Sequence, residues 1–251
     1  MSHFKGEVAV VTGVSHADGI GAAICRELAS DGVDIFFTYW DAASEWPHNF
    51  QKELQDYGIR CEHVLVDLSE STAHTELLDA VETRMSLPTI LVNNAAYSTR
   101  DGYLAFHAEE LDKHYAVNMR ATFLLSVEFA RRFQKAGKTM GRIINMTSGQ
   151  AQGPMVGELA YGATKGAISA FTLSLSAELA PLGITVNAVN PGPTDSGWMS
   201  EKVKQALSPQ FLMGRIGRPS DASRLIAFLA SEKAGWITGQ IINSEGGFLR
   251  N

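Results

Sequence analysis

Short apolar runs alternate with helically spaced apolar positions along the whole chain. The first run, "EVAVVT" (Glu7 to Thr12), is β-branched, uninterrupted and closed by glycine, the pattern of a strand buried on both faces. "GIGAAICRELASDG" then sets Ile20, Ala23, Ile24 and Leu28 at helical spacing and stops at Gly32. Further strands are predicted at Val33 to Trp40, Arg60 to Asp67, Thr89 to Ala96, Gly141 to Ser148 and Ile184 to Asn190, and in "GQIINSEGG". Between them the spacing predicts helices in "NFQKELQDYG", in "STAHTELLDAVETRM", from about Glu109 to Lys135, in "YGATKGAISAFTLSLSAELAPLG" and in "DASRLIAFLAS". Such alternation predicts an α/β fold: one doubly wound parallel sheet of about seven strands, with helices on both faces. No linker or shift in composition divides the chain, so residues 1–251 read as a single domain.

Composition narrows the class. Apolar residues make up 45% of the 251, enough for a real core, and charged residues only 19%. The formal net charge of −6, with Lys and Arg scattered, argues against a nucleic-acid partner. Cys25 and Cys61 are the only cysteines and cannot make a disulfide framework. The start "MSHFKGEVAVV" has no basic-then-apolar signal. No apolar run approaches the roughly 20 residues of a membrane helix. These features predict a cytoplasmic protein without a membrane partner or a metal site.

In doubly wound sheets, ligands sit at the carboxyl ends of the strands, so chemistry is sought there. After the first strand comes "TGVSHADGIG". Gly13 permits a sharp turn, and Gly19 and Gly21 would let backbone approach a phosphate at the start of a helix. An ordinary tight turn has the same composition. Asp67 ends the third strand and could meet an adenine amine or cap the next helix. "NNAA" (Asn93 to Ala96) ends the fourth, and its small residues suit a flat ligand or a plain turn. Tyr161 and Lys165, at i and i+4, share a helix face, where a cation beside a phenol would favour phenolate. Ser148, at the fifth strand's tip, could hold a carbonyl oxygen opposite that pair. A solvated polar helix edge would show the same Tyr–Lys spacing; the serine is what favours chemistry.

Taken in order, these motifs resemble the short-chain dehydrogenase/reductase family over essentially the whole chain. They are Thr12-Gly13 with Gly19-Ile20-Gly21, Asn93-Asn94-Ala95-Ala96, Asn118, Ser148, Tyr161 with Lys165, and Pro191-Gly192. Two departures are mild: Ala96 replaces the usual glycine, and Ser196 a usual threonine. The glycine turn also carries two extra residues, expected to bulge outward past the pyrophosphate and adenosine end. The resemblance implies a Rossmann fold and hydride transfer between a nicotinamide and a carbonyl carbon. In it Tyr161 exchanges the proton, Lys165 binds the nicotinamide ribose and lowers the Tyr161 pKa, and Ser148 orients the carbonyl. Asn118 holds a water that links Lys165 to solvent. It further implies cofactor contacts at Gly13, Ser15, His16, Gly19, Ile20, Gly21, Asp67, Leu68, Asn94, Ala95, Pro191, Gly192, Thr194 and Ser196.

By register, Tyr39 stands where NAD binders of the family place an aspartate, and His16 and Ser15 lie in the glycine loop; NADP(H) is therefore favoured over NAD(H). Residues 193–218 read as a loop-like substrate lid. Met155, Val156, Trp198, Met199, Phe211 and Leu212 suggest an apolar pocket, or simply packing of that lid. The chain resembles the 3-oxoacyl-[acyl-carrier-protein] reductase group, which implies a role in fatty acid biosynthesis, a 3-oxoacyl thioester or small-molecule carbonyl substrate, and a homotetramer or homodimer. The enoyl reductase branch is disfavoured, because it separates its Tyr and Lys by six residues rather than three. Two other readings stay open: a dehydrogenase of a sugar, polyol or other small secondary alcohol, and a non-catalytic dinucleotide-binding regulator.

Overall fold

The computed structural model describes residues 6–249, so both ends of the expected 1–251 domain, and the first residues of the "MSHFKGEVAVV" start, lie outside the described residues. Seven strands form one sheet: β1 (Val8–Val11), β2 (Asp34–Tyr39), β3 (Cys61–Leu65), β4 (Ile90–Asn93), β5 (Gly141–Met146), β6 (Ile184–Asn190) and β7 (Ile241–Asn243). All pairings are parallel, in the order β3-β2-β1-β4-β5-β6-β7. The expected α/β architecture is the one observed.

The uninterrupted apolar runs follow from burial on both faces. Successive side chains of a strand point to opposite sides. Ala9, Val11, Ile35, Phe37, Ile90 and Val92 join one core, with Ile24 and Leu28 of helix α1 (Ile20–Ser30), Phe50 and Leu54 of α2 (Trp46–Gln55) and Ile226 and Leu229 of α9 (Pro219–Ala230). Val8, Val10, Phe36, Leu91 and Ile143 join the other, with Leu77 and Val81 of α3 (Ala73–Arg84), Phe129 and Phe133 of α6 (Thr122–Lys135) and Leu175 and Leu179 of α7 (Leu159–Leu179).

Two expectations are corrected. The helix predicted from Glu109 to Lys135 is not one α-helix: α5 (Ala108–His114) and α6 are joined by a π-helical turn, Tyr115–Ala121, and a short α4 (Gly102–Ala105) precedes them. Apolar periodicity does not see a one-residue widening of the helix; π-turns occur chiefly at functional sites. The segment 193–218 is not all loop: α8 (Glu201–Leu207) lies inside it, with Ser200 Oγ accepting from the Val203 N–H at 3.4 Å. Among the described residues no helix is long and apolar enough to cross a membrane.

Candidate active site

Chain order reverses direction between β1 and β4, so the tips of these neighbours flank a crevice. Thr12 stitches the two tips together. Its hydroxyl accepts from the N–H groups of Asn94 (3.1 Å) and Ala95 (3.0 Å), while Asn94 Nδ2 donates to the carbonyls of Thr12 (2.9 Å) and Gly13 (3.0 Å). The Asn94 side chain therefore holds the glycine turn. Gly13 has φ +74°, and a Cβ there would stand 2.6 Å from Ala95 Cα. At Gly21 a Cβ would meet Asn94 Nδ2 at 2.8 Å and the Gly13 carbonyl at 2.9 Å, so close packing of the turn on the strand tip also requires glycine there. Gly13→Ala should lower stability by about 2–4 kcal/mol, from strain and collision together. Thermal melting checks this, and a variant melting with the native protein would show that β4 does not confine the turn.

The inserted loop is tied at both ends. Ser15 Oγ donates to the Trp40 carbonyl at 2.7 Å, which ties the loop start to the end of β2. Arg26 Nη1 of α1 donates to the Ala17 carbonyl at 2.8 Å, which draws the insertion towards α1. Ala17 and Asp18 line a cavity of about 650 Å³ with Arg26, Asp195, Lys204 and Ser220, and neither Ser148 nor Tyr161 lines it. His16 is exposed and lies under Gly19, its ring 3.3 Å from where a Gly19 Cβ would be.

A dinucleotide fits this cradle. α1 begins at Ile20 after an extended Gly19, with no side-chain cap and no acidic residue in its first turn. Its free N–H groups and positive dipole end are available to a pyrophosphate. Asp67 Oδ1 accepts from the Ser69 N–H at 2.8 Å, so this carboxylate shapes the turn after β3, with Leu68 half-buried beside it. Pro191 and Gly192 follow β6, where Asn190 Oδ1 accepts from the Gly192 N–H at 2.9 Å. Buried Thr194 donates to the carbonyl of Pro191 or Gly192 at 3.2 and 3.3 Å, and its own carbonyl accepts from the Ser196 N–H at 3.0 Å.

The structure brings Ser148, Tyr161 and Lys165 together. Ser148 follows β5, and its hydroxyl is close enough to the Tyr161 phenol to favour the ionised form. It also lies 3.8 Å from Met155 Sδ. Lys165 Nζ stands 5.5 Å from the Tyr161 ring centre and donates to the Met146 carbonyl at 2.8 Å. The lysine is 2% exposed, and its ammonium is pushed down to about 8 by burial. A buried ammonium with a single carbonyl partner in the protein still has N–H groups to offer, which fits ribose hydroxyls. The phenol does not behave as expected: burial, with the Glu158 carboxylate adding to it, pushes Tyr161 up to about 12, against the lowering effect of Ser148. Protein groups alone leave Tyr161 protonated at neutral pH.

Asn118 sits in the π-turn, fully buried. Its Nδ2 donates to the Tyr97 carbonyl (2.9 Å) and Thr164 Oγ1 (3.1 Å), and its Oδ1 accepts from the Tyr97 N–H (2.7 Å). Both donors are used within the protein, so the side chain clamps the segment after β4 against α7 rather than reaching for a water. Thr164, which sequence reading passed over, completes the clamp by donating to the Tyr161 carbonyl at 2.9 Å. No spacing marks such a residue beforehand.

Residues 193–218 are stitched to the C-terminal segment. Phe211 packs on Phe248 at 4.9 Å, and the Leu249 N–H donates to the Gln210 carbonyl at 2.8 Å. Phe211 is buried in this packing, and Met199 is buried beside the cavity lined by Ala17 and Arg26, whereas Val156, Trp198 and Leu212 are exposed.

This site geometry agrees with comparison to known proteins. A family model described as "Enoyl-(Acyl carrier protein) reductase" matches residues 13–249. An uncharacterized oxidoreductase, YjdA, of Bacillus subtilis (strain 168) is 60% identical over 250 residues, covering 100% of both chains. The 3-oxoacyl-[acyl-carrier-protein] reductase FabG of Aquifex aeolicus (strain VF5) is 33% identical over 98% of both. Among solved structures, a doubly substituted mutant of a Serratia marcescens short-chain dehydrogenase/reductase superposes with a TM-score of 0.89 at 32% identity, covering 99% of each chain. A seven-stranded doubly wound sheet, a Ser148–Tyr161–Lys165 cluster at its strand tips and full-length likeness to these oxidoreductases agree: the chain belongs to the short-chain dehydrogenase/reductase family and, within it, resembles the 3-oxoacyl-[acyl-carrier-protein] reductase group.

Proposed function

We propose that this oxidoreductase reduces a ketone, a 3-oxoacyl thioester first among them, to a secondary alcohol with NADPH, and that Tyr161 donates the proton. The observation that carries the reading is the Ser148–Tyr161–Lys165 cluster, in which a protonated phenol stands beside a serine hydroxyl and a buried ammonium. The nicotinamide dinucleotide supplies the hydride. Ser148 holds the carbonyl oxygen, and Tyr161 delivers a proton to it as charge develops. Lys165 binds ribose hydroxyls and stabilises the phenolate left behind. A proton relay past Asn118 would use its backbone, since its side-chain donors are engaged.

The surroundings support an apolar substrate. α4 presents Tyr103 (83% exposed) and Leu104 (87%), and Val156 (84%) stands on the facing loop. Leu212 (68%) and Trp198 (56%), in residues 193–218, are exposed as well, and we infer that these apolar side chains favour an acyl chain over a sugar. The test is NADPH absorbance decay with a 3-oxoacyl thioester beside a panel of small ketones. Turnover of the thioester supports the reading. Turnover of another ketone alone removes the substrate assignment and leaves the chemistry.

The preference for NADPH rests on Tyr39. Its ring packs edge-on against His63 at 5.6 Å at the tip of β2 and offers no carboxylate to repel a 2′-phosphate. Tyr39→Asp should move the kcat/KM ratio towards NADH by about tenfold or more, the scale of one desolvated like-charge contact. An unmoved ratio would show that the ribose binds elsewhere. The same reading assembles the chain as a homotetramer or homodimer through α6 and α7. Phe123 stacks on Phe171 there at 3.9 Å, beside exposed Leu124 and Leu173.

A further inference from the structure

The long helix carrying Tyr161 and Lys165 has no N-cap of its own. Glu158 stands at the cap position with φ −136° and ψ 52°, and its side chain makes no cap hydrogen bond. The missing acceptor comes from the segment after β4. Asp101 Oδ1 accepts from the Leu159 N–H at 2.8 Å, and Oδ2 from the Ala160 N–H at 2.8 Å. Oδ1 also accepts from the Gly102 N–H at 2.6 Å, and the Asp101 N–H donates to the Gly157 carbonyl at 3.0 Å. An ion pair between Arg100 and Glu158, 3.5 Å apart, runs along the same seam. Tyr161 follows directly in that first turn.

We propose that Asp101 is a positioning residue for Tyr161: its carboxylate, brought in from the β4–α4 segment, fixes the first turn of α7 and so the place from which the phenol delivers its proton. Burial alone would raise this carboxyl, but the three backbone N–H donors outweigh it and hold it below the usual carboxylate range, so it is ionised at neutral pH. A carboxylate on the first N–H groups of a helix is a charge-assisted bond aligned with the dipole. The second tie between the same two segments, Asn118 to Thr164, lies beyond Tyr161 along α7. The phenol thus stands between two anchors. Asp101 holds the first N–H groups of the free end, and Lys165 is held separately by the Met146 carbonyl.

This inference rests on Tyr161 being the proton donor. Asp101→Ala and Asp101→Asn are compared with the native chain in three measurements: kcat and KM with a ketone that the native protein reduces, NADPH affinity by fluorescence, and amide hydrogen exchange. The alanine variant should lose about tenfold or more in kcat, the scale expected when a reacting group is misplaced by a fraction of an ångström. NADPH affinity should stay within about twofold, because the ribose-binding lysine is anchored elsewhere. The asparagine variant, which keeps one accepting oxygen, should recover part of kcat. Exchange at Leu159, Ala160 and Tyr161 should rise in the alanine variant while the second half of α7 stays protected. The proposal is overturned if kcat of Asp101→Ala matches the native value. It is also overturned if kcat and NADPH affinity fall together without recovery in Asp101→Asn, or if exchange at 159–161 does not change. A native chain that reduces no ketone would remove the proposed function instead, and the exchange measurement would still decide whether Asp101 anchors the helix.

Discussion

Tyr161→Phe should reduce turnover by about a thousandfold, within the range that general acid catalysis contributes, while leaving NADPH affinity nearly unchanged. The argument starts from what the hydroxyl touches. Ser148 is the side chain whose hydroxyl acts on it, and the ring keeps its volume and packing in the variant. Helix α7 should therefore fold as before, and Lys165 should keep its bond to the Met146 carbonyl. What disappears is the proton. Nothing else beside Ser148 replaces it readily: the serine hydroxyl is a far weaker acid, and the Lys165 ammonium is turned to the Met146 carbonyl. Absorbance decay measures turnover, and fluorescence titration measures affinity. Turnover within about tenfold of native, below the usual contribution of a general acid, would assign the proton to another group. Loss of turnover with binding retained would separate a catalyst from a dinucleotide-binding regulator. The phenol's upward displacement, to about 12, has a further consequence. The acid form is populated throughout the neutral range, so reduction should not lose its donor as pH rises through 7 to 9. Oxidation of the alcohol, which needs phenolate, should gain over that range.

The sheet and its helices were legible because burial on both faces leaves a simple record. "EVAVVT" is apolar through its middle because Val8 and Val10 face one core while Ala9 and Val11 face the other. Tyr161, Lys165 and Ser148 were legible for another reason: strand tips and an i, i+4 helix face are placed by backbone geometry alone. Roles that depend on third parties were not. Gly21 and Asn94 read as cofactor contacts and also close on each other, because the tip of β4 lies against the glycine turn and sequence order hides that neighbour. Asn118 is legible only through the family resemblance, since a π-turn changes the helix by one residue without breaking apolar spacing. The pKa of Tyr161 was misjudged because a lysine four residues on suggests a nearby charge. In the fold that ammonium turns to Met146, and burial governs the phenol instead. Phe211 reads as a pocket residue but is covered, because the C-terminal segment that packs on it arrives only on folding.

Lys165→Met should abolish turnover and yet make the protein free of cofactor more stable at neutral pH. The buried lysine, 2% exposed, donates to one carbonyl and, among the described residues, has no carboxylate in an ion pair with it. Burial is the sole cause that pushes it down to about 8. Its charged form is disfavoured in the folded state relative to the unfolded chain, where a lysine titrates near about 10.4. The sign follows from proton counting. Below pH 8 both states are protonated and the full desolvation penalty is present. Between about 8 and 10 the unfolded chain binds more protons than the folded one, so stability contributed by this group rises with pH. Methionine fills similar volume without a charge, at the cost of leaving the Met146 carbonyl without its donor. The net gain at pH 7 should be about 1–2 kcal/mol, some ~3–6 °C for a domain of this size. It should shrink as pH approaches about 10, because the native lysine then sheds its penalty and the variant has none to shed. Thermal melting of both proteins at pH 7 and pH 9.5, with and without NADPH, makes the comparison. A variant less stable at pH 7 would mean that the Met146 bond outweighs desolvation. A gain independent of pH would mean that packing, not charge, is responsible. With NADPH present the order should invert, because ribose hydroxyls would give the native ammonium the partners it lacks and methionine cannot accept that offer.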